Sequence, residues 1–258
     1  MHHAYIDKFA YQDSPVHQLD ARVKFIVLVV FTAVVISQPL TRPAILPCYA
    51  VGPFVLLVVA RIPLRFVFKE ILLVSPFVLV LALSCPLYDR TGVTVSFGPF
   101  VWDTSAGWLR CAVILGKFVV TMLALIALVS TTRFNDLLVG LQKLGVPKLL
   151  VIQLGFLYRY IFILIDRVQH MLRARAARKL RNLGFRTELK TAAAMVGSLL
   201  VRSIDNAENI SLAMQGRGFD GTWRTITRLR VRPADLIFAA GAGCFLVALQ
   251  FIVRPALQ

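Results

Sequence analysis

The sequence predicts an all-α membrane protein: about five transmembrane helices plus a cytoplasmic domain of long amphipathic helices. Three observations carry that expectation. Of the 258 residues 58% are hydrophobic, and the mean hydropathy is +0.73, too apolar for an ordinary soluble domain of this size. The apolar residues are gathered into five runs, all but the first of about membrane-helix length. The formal charge is +16 and unevenly spread, with 18 Lys and Arg against 6 Asp and Glu between positions 133 and 232. Cations beside membrane spans are retained on the cytoplasmic side, so that segment is expected to face inward.

Residues 1–22 are polar and mixed in charge. They lack an apolar stretch followed by a small-residue cleavage site, so no cleavable signal peptide is expected, and His2 and His3 read as a disordered terminus rather than a metal site. The first apolar run, 23–37, is short for a span, with Lys24 placed to snorkel at its inner end. A turn at 38–43 leads to the second run, 44–60, which leaves through the basic loop Arg61, Arg65 and Lys69. The third run, 71–88, is followed by an alternating segment at 93–97 that reads as a short strand or hairpin. Trp102 and Trp108 are placed for the outer interface. The fourth run, 109–130, carries Lys117. An ionisable group at that depth is a functional candidate, with packing into the bundle interior as the plainer reading. A last run, 236–253, contains Gly241 and Gly243 among alanines, small residues that let helices approach closely.

Between the fourth and last runs the pattern is amphipathic. Pro147 can start a helix in which Val151, Leu154, Tyr158, Ile161, Ile165, Val168 and Leu172 form one stripe. Residues 149–165 would alternatively make a sixth span, but Arg159 near the centre opposes this. A second amphipathic stretch, 187–215, aligns Leu189, Val196, Leu200, Ser203, Ala207, Ile210 and Met214, and ends at Gly216 and Gly218 around Arg217. The division expected is therefore a bundle at 1–130, a cytoplasmic domain at 131–232 and a terminal span at 233–258.

Catalytic signatures are missing: there is no Gly-rich nucleotide loop of the Walker type, no H-E-x-x-H and no G-x-S-x-G. Cys48, Cys85, Cys111 and Cys244 lie singly in or beside apolar runs and read as small buried hydrophobes rather than disulfides or ligands. What remains is arginine at two helix ends. Ala174 to Arg178 and Ala213 to Arg217 repeat the pattern of Ala, three residues, then Arg. Planar guanidinium groups suit bidentate pairing with carboxylates of a partner, and attachment to anionic lipid is the competing use.

The sequence also resembles the transmembrane T component of energy-coupling factor (ECF) transporters, specifically the CbiQ type of cobalt importers. The resemblance rests on Asp7-Lys8-Phe9-Ala10-Tyr11, on Asp13 through Lys24, on Leu144-Gly145-Val146-Pro147, on Tyr158-Arg159-Tyr160-Ile161-Phe162 and on Ala213 through Phe219. It implies short Ala-Arg-Gly or Ala-Arg-Ser signatures at the tips of coupling helices. Gly216-Arg217-Gly218 corresponds to the second signature with Gly in place of Ala, and Ala177-Arg178-Lys179 best corresponds to the first with Lys in place of the small residue, Ala174-Arg175-Ala176 being the other candidate. It further implies that these arginines dock on two ABC-type ATPase subunits, and that the chain passes their movement to a CbiM-like substrate-binding membrane subunit, with a small accessory membrane subunit as a further contact. On this reading the protein is a non-catalytic, multi-pass subunit of the cell inner membrane. It needs no cofactor of its own and binds no nucleic acid. Nickel import by the same machinery and, in another class, a lipid-acting membrane enzyme are the alternatives.

Overall fold

The computed structural model describes residues 9–12, 14–39, 45–88, 92–97, 100–179, 184–219 and 232–253. The readings of His2, His3, Asp7, Lys8, Asp13 and part of the 38–43 turn lie outside these residues. Among the described residues eight helices and one hairpin follow in order: α1 (Ala21–Ser37), α2 (Leu46–Val59), α3 (Leu64–Tyr88), β1 (Gly92–Phe97), β2 (Phe100–Ser105), α4 (Ala106–Thr131), α5 (Phe134–Lys143), α6 (Lys148–Arg178), α7 (Phe185–Gly216) and α8 (Pro233–Val253). The all-α expectation holds apart from the hairpin, where β1 pairs antiparallel with β2 from Gly92 opposite Ser105 to Phe97 opposite Phe100. That hairpin is where the alternation at 93–97 predicts one.

The chain forms two compact units, residues 1–140 with 227–258, and residues 141–226. In the first, α4 is the central helix, packing on α1, α2 and α3, while α8 packs on α1 and α2. One apolar cluster joins Val16, Leu57, Ala60, Ile62, Val67 and Ile126; another joins Phe31, Val35, Tyr49, Val120 and Leu246. Close approach of α2 to α4 depends on Gly116, where an added Cβ would lie 2.6 Å from Leu46 Cδ1. The outer face of α3 is uncovered, Phe77 being 79% exposed, as lipid contact requires.

Among the described residues α3, α4, α6 and α8 are long and apolar enough to cross a membrane. The first two expected spans do form helices, but α1 and α2 reach only about 25 and 21 Å at 1.5 Å per residue, short of a hydrocarbon core of roughly 30 Å. By length and composition α6 qualifies as well, which keeps the sixth span open.

Two lysines fix how α1 lies against α4. Lys24 is buried, and its Nζ donates to Thr131 O at 2.9 Å, so the expected snorkelling does not occur: the ammonium finds an unsatisfied carbonyl at the end of α4 instead. Lys117 Nζ donates to Ile36 O at 2.8 Å and Gln38 O at 2.6 Å. It closes the C-terminus of α1, where carbonyls lack intrahelical partners, which is the packing reading of that residue. The two ties set α1 and α4 antiparallel. A third places α8 beside them. Asp235 Oδ2 accepts from Arg232 N at 2.6 Å, capping its own helix, while Oδ1 accepts from Asp20 N at 2.8 Å, the N-cap residue of α1. One carboxylate thus serves two helix N-termini, so α1 and α8 start at the same end of the bundle.

All four cysteines are free, but only Cys111 is buried; Cys48 and Cys244 are exposed. The expected burial fails for these two because they sit on α2 and α8, whose apolar surfaces are not all turned inward.

Candidate functional site: two arginine-bearing helix ends

The second unit is built on α6 and α7, of 31 and 32 residues, each roughly 46–48 Å long. Their mutual packing is slight beside that of α3 on α4, and α7 has no buried residue. The stripe expected on α7 stays open to the surroundings, with Leu189, Val196 and Leu200 all exposed. Two long helices alone cannot cover two apolar stripes.

α6 starts after Pro147, its N-cap residue, and ends with Arg175 and Arg178 in its last turn. Cations there complement the negative end of the helix dipole, an effect worth roughly 0.3–1 kcal/mol. Three basic residues share the terminus but not the same role. Lys179 donates a hydrogen bond to Glu188 Oε1, and Arg175 Nη2 lies 3.9 Å from Glu188 Oε2. Glu188 sits in the first turn of α7, where the helix dipole also favours an acid. Its carboxyl is held below its usual 4.5, first by the hydrogen bond from Lys179, then by the charges of Lys179 and Arg175. Arg178 is exposed and makes no hydrogen bond or ion pair among the described residues. Ala177 beside it is exposed too.

α7 ends differently. Phe219 N donates to Met214 O at 3.0 Å, and Gly218 N donates to Gln215 O at 2.9 Å, the paired bonds of a Schellman ending. Gly218 has φ +74°, a left-handed conformation that an L side chain adopts only with strain. Arg217 is the C-cap residue and is exposed, again without an ion pair among the described residues. Gly216 is the last helical residue, and a Cβ there would meet nothing within 4 Å. Within the predicted triplet, then, Gly218 shapes the turn, Arg217 is presented at its tip, and Gly216 is open to substitution by alanine.

Of the candidate residues, Arg178 and Arg217 stand as exposed guanidinium groups, unpaired among the described residues, at the C-termini of successive helices, whereas Arg175 and Lys179 are engaged with Glu188. Sequence reading missed Glu188; its one signal was an acid in an otherwise basic stretch. Among the described residues no group of three or more His, Cys, Asp or Glu comes together to hold a metal ion.

Comparison with known proteins agrees with this architecture. The family described as "Cobalt transport protein", CbiQ, matches residues 12–229. The cobalt transport protein CbiQ of Rhodobacter capsulatus is 28% identical over 205 residues, covering 79% of this chain and 79% of that protein. The energy-coupling factor transporter transmembrane protein EcfT of Listeria innocua is 24% identical over 253 residues, covering 93% and 92%. The nickel permease LarQ of Lactiplantibacillus plantarum is 32% identical over 108 residues, covering 42% and 38%. With a family match across most of its length and helices of membrane-spanning length, the chain belongs to the CbiQ cobalt transport protein family of multi-pass, ECF-type transmembrane components.

Proposed function

We propose that the chain couples ATP hydrolysis in partner subunits to metal import, as the T component of an ECF-type cobalt importer. Arg178 at the end of α6 and Arg217 at the end of α7 each dock on one ABC-type ATPase subunit, with Ala177, Gly216 and Gly218 allowing close approach. Residues 131–232 act as the cytoplasmic coupling domain. Residues 1–130 and 233–258 hold it in the cell inner membrane and contact a CbiM-like substrate-binding membrane subunit, with a small accessory membrane subunit as a further partner. The chain itself is non-catalytic.

The observation that carries this reading is the pair of exposed guanidinium groups that have no partner among the described residues, beside two residues, Arg175 and Lys179, that have one. A helix-dipole role alone would not single out Arg178, since Arg175 and Lys179 already serve that end of α6. Guanidinium forks pair bidentately with carboxylates, and truncating one partner of a buried charged pair costs about 2–5 kcal/mol. Cobalt is supported by the family and by the Rhodobacter relative; similarity to the nickel permease supports nickel as the second substrate reading.

Replacing Arg217 by Glu puts like charge against a partner carboxylate. Radiometal uptake by the complete complex is expected to vanish, with membrane insertion intact and the ATPase subunits no longer co-purifying. Wild-type uptake by that variant would contradict docking. Competition between cobalt and nickel in the same assay decides the substrate.

A further inference from the structure

The first compact unit holds a buried hydrogen-bonded joint at Asp20, Lys24, Thr131 and Asp235, with half-buried Asp136 nearby, and Asp136 and Asp235 lie near the two points in sequence where the chain passes to residues 141–226. The chain leaves that unit after Gly140 and re-enters at Thr227, and Asp136 lies four residues before the exit, Asp235 eight after the return. Asp235, 1% exposed, accepts from Asp20 N and Arg232 N, and Lys24 donates to Thr131 O. Asp136, Asp235 and Asp20 are all within electrostatic reach of Lys24. Hydrogen bonds therefore tie the start of α1 to the start of α8 and to the end of α4, and Asp136 in the first turn of α5 acts on the same ammonium group electrostatically.

This joint is not saturated. Asp20 Oδ1 accepts from Arg22 N, but Asp20 Oδ2 is buried and has no hydrogen bond among the described residues. Lys24 has three N–H donors and makes one hydrogen bond among the described residues. A buried carboxylate oxygen without a partner is costly, and a spare donor stands one helical turn away, at the i, i+4 spacing at which Asp and Lys side chains meet. Two arrangements are available to the same groups. In the one observed, Lys24 ties α1 to the end of α4. In the other, Lys24 turns to Asp20 Oδ2, is satisfied within its own helix, and gives up the Thr131 carbonyl at the end of α4, while Lys117 still ties the far end of α1.

We infer that Lys24 and Asp20 form a two-position catch, and that displacement of residues 141–226, delivered through Asp136 and Asp235, moves Lys24 from the Thr131 carbonyl to the Asp20 carboxylate. The catch is a positioning device for transport rather than part of a substrate site. It rests on the proposal that the arginine tips receive the movement of the ATPases, and it supplies the discrete alternative arrangement that coupling between distant sites requires.

Asp20→Asn tests it, because the remaining carbonyl oxygen can still accept from Arg22 N and the observed arrangement is kept. In the complete complex reconstituted into liposomes, metal taken up per ATP hydrolysed is expected to fall about tenfold, within the usual range of coupling free energies, with subunit composition and melting temperature unchanged. Lys24→Met removes both positions of the catch and is expected to uncouple at least as strongly; the double variant should be no worse than Lys24→Met alone. A wild-type uptake-to-hydrolysis ratio in assembled Asp20→Asn complex overturns the inference, as does failure of both single variants to accumulate in the membrane, which would make the joint purely structural. Docking is read separately. It fails if the ATPases stay bound to the Arg217→Glu chain and drive uptake, whatever the catch does.

Discussion

α6 ends against its neighbour, whereas α7 ends on itself. At the first tip Arg175 and Lys179 are drawn to Glu188, the terminus has no left-handed glycine, and Arg178 is left over. At the second, two backbone hydrogen bonds and the positive φ of Gly218 fix the chain, and Arg217 is presented without side-chain help. The same guanidinium presentation is thus reached by two kinds of force. Exposed ion pairs are worth little and are screened by salt, so the first tip is adjustable relative to α7. The second is set by backbone geometry and follows the axis of its own helix.

The largest expected effect separates the arginines of the first tip. Arg178→Glu is expected to lose the ATPase subunits as completely as Arg217→Glu, while Arg175→Glu retains most of them, since its charge is already spent on Glu188. Quantifying the ATPase co-purified with each variant checks this; the opposite order would reassign the docking residue to Arg175. Next comes the backbone of the second tip. Gly218→Val forces a β-branched residue into a left-handed conformation and is expected to destabilise the α7 ending by about 1–2 kcal/mol. Gly216→Ala is expected to be neutral or to stabilise by roughly 0.5–1 kcal/mol, because the helix gains and no neighbour is displaced. Helix-end fraying measured by hydrogen exchange at residues 212–219 distinguishes the two.

The smallest effect concerns Glu188. Its carboxyl is lowered below 4.5 by Lys179 and Arg175, so the clamp contributes fully above pH 4.5 and is lost as pH falls through the lower folded value. A distance probe between positions 175 and 188 is expected to report a tight junction at pH 7 and a loosened one in stronger acid. Glu188→Gln should be loose at both, and raising salt at pH 7 should reproduce part of the effect. A wild-type junction indifferent to acid and salt would show that something other than the ion pairs ends α6.

Local features were legible in the sequence. The amphipathic spacing and the Gly216 and Gly218 pair located α7 and its end to within two residues, and the alternation at 93–97 located the hairpin. The open stripe of Leu189, Val196 and Leu200 was readable as a pattern, although periodicity cannot tell a face covered by the same chain from one left for another. α5 was missed because ten residues of mixed polarity give too short a period to recognise. α3 begins at Leu64, earlier than its apolar run, since Arg65 and Lys69 belong to the helix although their charge marks them as loop. Least legible was the joint at Asp20, Lys24 and Asp235. Its members are separated by 215 residues between Asp20 and Asp235, each alone resembles an ordinary interfacial charge, and only folding places one carboxylate on two helix ends. Burial likewise corrected Lys24 from a snorkelling group to a hydrogen-bonded one.

Proximity labelling from the two tips tests the docking of this chain most directly. A photo-crosslinker placed at Ala177 and, separately, at Gly216 in the purified complete complex is expected to join each tip to an ATPase subunit, while the same probe on the lipid-facing surface of α3, at Phe77, joins none. Crosslinks from Ala177 and Gly216 that reach only lipid, or no protein at all, in a complex that still imports metal would contradict it.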